Sequence, residues 1–105
     1  PWPRKRMTDL VKEATGVDFL AIPDAAGAVA AAKGLGIDLE PGTNWGKAVE
    51  AVFGERVEHT LIQPTHVTDF PREISPLAKV HRADPRLAER FETYMNGWEI
   101  ANAFS

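Results

Sequence analysis

Asn96-Gly97 stands between two segments that alternate with a period of two, and no other feature of the chain restricts its folding so tightly. Both residues accept the positive φ angles of a type I′ turn, whose twist matches two antiparallel strands, so the dipeptide predicts a hairpin with a two-residue loop. Glu89 to Met95 form one strand and Trp98 to Ser105 the other. The turn sets the register: Met95 faces Trp98, Thr93 faces Ile100, Phe91 faces Asn102 and Glu89 faces Phe104, giving a mostly apolar side. The opposite side carries Arg90, Glu92 and Tyr94 on the first strand and Glu99, Ala101 and Ala103 on the second.

Glu92 and Glu99 thereby become diagonal neighbours, with Cβ atoms separated by roughly 7 Å or less. Two carboxylates that close repel each other unless a cation or an arginine lies between them. Mg²⁺ suits the position: one or two carboxylates hold it while phosphates and waters complete its octahedron, and Ala101 and Ala103 leave room for them. The alternative is a solvated strand face on which Arg90 neutralises one of the acids.

Upstream the period is helical. Thr8 is an N-cap for a short helix with Leu10, Val11 and Ala14, stopped at Gly16. Asp24 caps an alanine-rich helix that ends at Gly34 and Gly36, and Asn44 caps a third, with Trp45, Ala48, Val49, Val52 and Phe53 on one face and Gly54 as its end. Pro1 to Met7 read as extended, with Arg4-Lys5-Arg6 as a solvated strand end. After His59, Pro64, Pro71 and Pro76 confine the chain to strands and turns, and Asp84-Pro85 marks a further turn. The fold class is α+β, with 1–7 as an incoming strand, 8–58 as a helical insertion of about three helices and 59–105 as antiparallel strands ending in the hairpin.

A net charge of −3 supplies no basic field for holding a nucleic acid. Without cysteines there is no disulfide, zinc–thiolate site or cysteine nucleophile, which fits a cytoplasmic protein. No apolar run is long enough to span a bilayer. His59, His66 and His81 lack the mutual spacing of a metal cluster, and Ser75 lacks the glycines of a nucleophile elbow. Pro1 and Ser105 read as cuts in a longer chain.

Several motifs together carry a family resemblance. Leu61-Ile62-Gln63-Pro64-Thr65, Asp69-Phe70-Pro71 and Ile74-Ser75-Pro76-Leu77-Ala78-Lys79 precede Glu89-Arg90-Phe91-Glu92, which is followed by Asn96-Gly97-Trp98-Glu99-Ile100-Ala101-Asn102-Ala103-Phe104-Ser105. In order and spacing the set resembles the class II lysyl-tRNA synthetases, and Arg6-Met7-Thr8 and Asn44-Trp45-Gly46 extend the likeness over essentially the whole chain.

The resemblance implies an antiparallel catalytic sheet, interrupted between the second and third signature motifs by the helical insertion, in a cytoplasmic and homodimeric enzyme. That enzyme activates lysine with ATP and Mg²⁺ and passes the lysyl group to tRNA. It implies that Glu92 and Glu99 hold magnesium on the ATP phosphates, and that Asn102 and Phe104 line the lysine pocket, by hydrogen bonding and by packing on the substrate's apolar stem. It assigns no catalytic residue here, and the piece alone is expected to be inactive because the other signature motifs and the family's following Glu-Leu-Asn are missing. Strict alternation sets Asn102 and Phe104 opposite Glu99, a conflict that a β-bulge or a strong twist near Ala101 would remove. The other readings are a synthetase paralogue that modifies elongation factor P and a non-catalytic helical interaction module.

Overall fold

A computed structural model describes residues 2–75, 78–81 and 83–104, the last four of these by their backbone alone. Strand β1 (Arg4–Arg6) leads directly into helix α1 (Met7–Thr15), followed by α2 (Ala25–Gly34) and α3 (Trp45–Arg56). The remainder is extended: β2 (Thr65–Pro71), β3 (Lys79–Val80), β4 (Leu87–Met95) and β5 (Trp98–Phe104). Single 3₁₀ turns occur at Phe19–Ala21, Glu58–Thr60 and Arg72–Ile74. The class is α+β, and the helices precede the antiparallel strands as the change of period indicates.

The sheet has five strands and is mixed. β1 pairs with β2 in parallel, Arg4 opposite His66, whereas β4 is antiparallel to β2, β3 and β5. A parallel pair needs a long crossover, and the three helices supply it. Ala88 pairs with Phe70 of β2 and Val80 of β3, so these strands lie along opposite edges of β4; β5 shares the edge with β3. The basic run Arg4-Lys5-Arg6 is exposed, as a solvated strand end should be.

Helix ends follow local chemistry, with two corrections. Asp24 accepts from the Gly27 amide at 2.7 Å and Asn44 from the Lys47 amide at 2.7 Å, while Gly16 at φ 82° closes α1. Thr8, however, is not the cap of α1. The helix starts one residue after β1 with Arg6 at the cap position, and Thr8 lies buried inside the first turn. Asp9 instead accepts two hydrogen bonds from the Arg6 guanidinium, at 3.0 and 3.1 Å. Nor does Gly54 end α3, which continues to Arg56 because its last turn is held by packing of Val52, Phe53 and Val57.

One core joins the helices to the sheet: Val11, Ala28, Ala32, Val49, Val52 and Phe53 pack with Val67, Phe70, Leu87 and Tyr94. Arg86 ties the two halves together. Its guanidinium donates to the carbonyls of Ile22 and Leu20, both at 2.8 Å, and lies 4.5 Å over the Trp45 ring, whose Nε1 donates to the Phe19 carbonyl at 3.1 Å. Gly46 makes a second tie by donating its amide to Glu73 Oε1 at 2.6 Å.

The two glycines of α3 predict opposite effects on stability. A Cβ at Gly46 would lie 2.9 Å from the Glu73 Cβ and 3.0 Å from the Pro71 Cβ, whereas one at Gly54 would meet nothing within 4 Å. Gly46→Ala is expected to lose about 1–3 kcal/mol through overpacking, and Gly54→Ala to gain up to about 1 kcal/mol from helix propensity. Urea denaturation of both variants checks the contrast.

Candidate metal and nucleotide site

Alternation along β4 puts Arg90, Glu92 and Tyr94 on one side of the sheet, facing the helices. Glu92 is only 7% exposed and Tyr94 4%, so the β4 part of this face is not the solvated surface proposed as an alternative, whereas Glu99 on β5 is exposed and the pairing of Arg90 with Glu92 is present. The Tyr94 hydroxyl donates to Glu92 Oε1 at 2.8 Å and the Arg90 guanidinium to Oε2 at 2.6 Å. Arg90 is held in turn by Ser75 Oγ at 2.9 Å, the Ile74 carbonyl at 3.3 Å and the Phe70 ring at 4.8 Å.

The hairpin turn forms as its residues dictate, with Asn96 at φ 55° and Gly97 at φ 78°. Past the turn the register departs from strict alternation. Met95 pairs with Trp98 and Tyr94 with Glu99, but Thr93 pairs with Ala101, leaving Ile100 as the extra residue of a β-bulge. Beyond it Phe91 pairs with Ala103, Glu92 with Asn102 and Arg90 with Phe104, one position away from the pairing a regular ladder would give.

The shift unites two sets of residues that strict alternation separates. Paired residues share a side, so positions 99, 102 and 104 all fall on the side of β4 that carries Glu92. Nothing is described of the Asn102 and Phe104 side chains, and Ser105 lies outside the described residues. On the opposite side Thr93 bonds the His66 ring at 2.7 Å, and Trp98 and the bulge residue Ile100 are 73% and 47% exposed because no described element covers them.

Glu92 and Glu99 line one cavity of about 260 Å³, together with Met7, Phe53, Phe70 and Arg90. Glu50 and Glu58 also reach it, from α3 and the 3₁₀ turn that follows. These two acids come from the helical half, where strand periodicity offers no signal for them. Burial pushes the Glu92 carboxyl above the ordinary glutamate range; the neighbouring Glu99 adds to the rise, while the Tyr94 hydrogen bond and the Arg90 charge oppose it. Burial and the bond to Glu92 also push the Tyr94 phenol upward, so it stays protonated and donating.

Oxygen-only donors of this kind suit a hard divalent cation. Each Glu92 oxygen accepts one hydrogen bond and keeps further lone-pair capacity, and Glu99 supplies a second carboxylate. Among the described residues no group of three or more His, Asp or Glu could cage an ion. The donor set therefore fits Mg²⁺ that brings phosphates with it better than a fully protein-bound ion.

Comparison with known proteins gives the family. The family model described as tRNA synthetases class II (D, K and N) matches residues 1–105. The chain belongs to that family. It is similar to the lysine–tRNA ligases of Sinorhizobium medicae, 54% identical over 105 residues, and Agrobacterium fabrum, 55% identical over the same length. The more distant Carboxydothermus hydrogenoformans lysine–tRNA ligase is 51% identical. Each match covers 100% of this chain but only 21–22% of the relative, so this class II synthetase sequence spans about a fifth of the curated relatives' length. Among its described residues, no helix is long and apolar enough to cross a membrane.

The raised Glu92 carboxyl makes stability depend on pH in a defined direction. Between the ordinary glutamate range and the higher folded-state value, the folded chain keeps a proton that the unfolded chain has released. Stability contributed by Glu92 is therefore full below that window and falls as pH rises through it. Glu92→Gln is expected to flatten this decline, read by urea denaturation at a series of pH values.

Proposed function

We propose that the chain is part of a lysine–tRNA ligase that activates lysine with ATP and then transfers it to tRNA. The observation that carries the reading is the pairing of two carboxylates, Glu92 and Glu99, in one cavity by a bulged hairpin. The full-length likeness to lysine–tRNA ligases supports the choice of amino acid. In this reading residues 8–58 are a helical insertion in the catalytic domain, the enzyme acts in the cytoplasm as a homodimer, and the 105 residues alone are inactive.

Glu92 and Glu99 would hold Mg²⁺, and Asn102 and Phe104 would line the lysine pocket. When bound, the ion neutralises the ATP phosphates and orients them toward the lysine carboxylate. The chain's own contribution is preorganisation. The helices above the sheet withdraw the Glu92 carboxylate from water, and the bulge brings positions 102 and 104 to its side. Neither the paralogue acting on elongation factor P nor the interaction module accounts as well for a buried Glu92 with the exposed Glu99 on the same cavity, together with the lysine–tRNA ligase likeness.

The test is kinetic, in the complete enzyme that carries this sequence. Glu92→Gln and Glu99→Gln are each expected to lower lysine-dependent ATP–pyrophosphate exchange on the order of a hundredfold, with lysine affinity much less affected. Exchange at the parent rate in both variants would contradict the metal assignment. Exchange driven by another amino acid, with lysine inert, would contradict the substrate.

A further inference from the structure

The cation reading assigns work to two carboxylates but leaves open why one of them is so firmly anchored. Glu92 has both oxygens engaged by neighbours two residues away on its own strand, Arg90 and Tyr94. Neither neighbour is free to swing. The Tyr94 ring packs edge-on against Phe53 with centroids 5.4 Å apart, and Arg90 is held by Ser75, Ile74 and Phe70. A glutamate on a strand ordinarily samples several rotamers, and holding one costs side-chain entropy. Here two anchored donors select that rotamer in advance.

We propose that Tyr94 and Arg90 are positioning residues that clamp the Glu92 carboxylate toward Glu99, presetting the pair for a divalent cation bound with a nucleotide polyphosphate. The inference rests on the reading of Glu92 and Glu99 as cation ligands and adds two residues that act through the Glu92 carboxylate. Three features carry it. The donors approach different oxygens, so together they fix the plane of the carboxylate as well as its position. Each oxygen keeps lone-pair capacity for a metal. Finally, Tyr94 pairs across the hairpin with Glu99, so the residue that orients one acid sits directly beside the other. The clamp also has an electrostatic sense: it favours the ionised carboxylate against the burial that opposes it.

Tyr94→Phe is the discriminating variant, because it deletes one hydroxyl and retains the ring that packs on Phe53. The complete enzyme carrying this sequence, with its glutamate side chains labelled with ¹³C, is titrated with Mn²⁺–ATP as a paramagnetic probe, and its lysine-dependent ATP–pyrophosphate exchange is followed in parallel. In the parent enzyme Mn²⁺–ATP should broaden the Glu92 and Glu99 carboxyl signals together. In Tyr94→Phe, with the amide spectrum still that of the fold, the same broadening should need on the order of tenfold more probe. The kcat of exchange should fall on the order of tenfold with the KM for lysine unchanged, a split that a merely structural loss would not give. Arg90→Lys, which keeps the charge but not the guanidinium geometry, should weaken probe binding in the same direction. A responsive parent enzyme with Tyr94→Phe unchanged in both readouts would overturn the clamp alone. A parent enzyme in which neither glutamate responds to Mn²⁺–ATP would overturn the cation reading and the clamp with it.

Discussion

Strand β4 is bonded along both edges, to β2 on one and to β3 and β5 on the other, and its pairing with β5 decides what the buried carboxylate of Glu92 meets. A strand side-chain pattern repeats every two residues, so a shift of one residue exchanges the two sides of the sheet. The type I′ turn at Asn96-Gly97 fixes the pairing near the loop, and the bulge at Ile100 resets it beyond. Between them, Glu99 lies on the same side as Glu92 and positions 102 and 104 follow. Without the bulge the last two would lie on the reverse side, away from the cavity.

Burying Glu92 is costly, and the surroundings show how the cost is met. An isolated ionised carboxylate in a low-dielectric interior is strongly disfavoured, and pairing alone seldom repays the full desolvation. Arg90 supplies charge and Tyr94 supplies a hydrogen bond, but burial, with Glu99 adding to it, still keeps the carboxyl above its ordinary range. An arrangement that leaves two acids in mutual opposition is a poor way to stabilise a fold and a good way to bind a cation. The ties formed by Arg86 and by Gly46 with Glu73 serve the other purpose, locking helices and sheet into the single core that shelters Glu92.

Much of this was legible in the sequence. The shift from helical to strand periodicity after His59, the Asp24 and Asn44 caps and the Asn96-Gly97 turn depend on local chemistry that a few neighbouring residues express. What was not legible depends on distant partners. Thr8 looks like a cap, but its position is set by where β1 pairs with β2, so the helix begins earlier and its hydroxyl is left buried with no hydrogen-bond partner among the described residues. The bulge at Ile100 has no glycine to announce it; only the need for Glu99 and Asn102 on one side hints at it. Glu50 and Glu58 reach the cavity because the helices fold over the sheet, a relation between halves that periodicity within either half does not encode.

The central claim is that the bulged hairpin holds Glu92 and Glu99 as one site for a divalent cation and its nucleotide. The most direct measurement is an anomalous difference map from crystals of the complete enzyme carrying this sequence, grown with ATP and Mn²⁺ in place of Mg²⁺. The account predicts an anomalous peak within coordination distance of carboxylate oxygens from both Glu92 and Glu99, with triphosphate density completing the shell. A fully occupied nucleotide whose manganese contacts neither glutamate, with Glu92 still bound only by Arg90 and Tyr94, would contradict it.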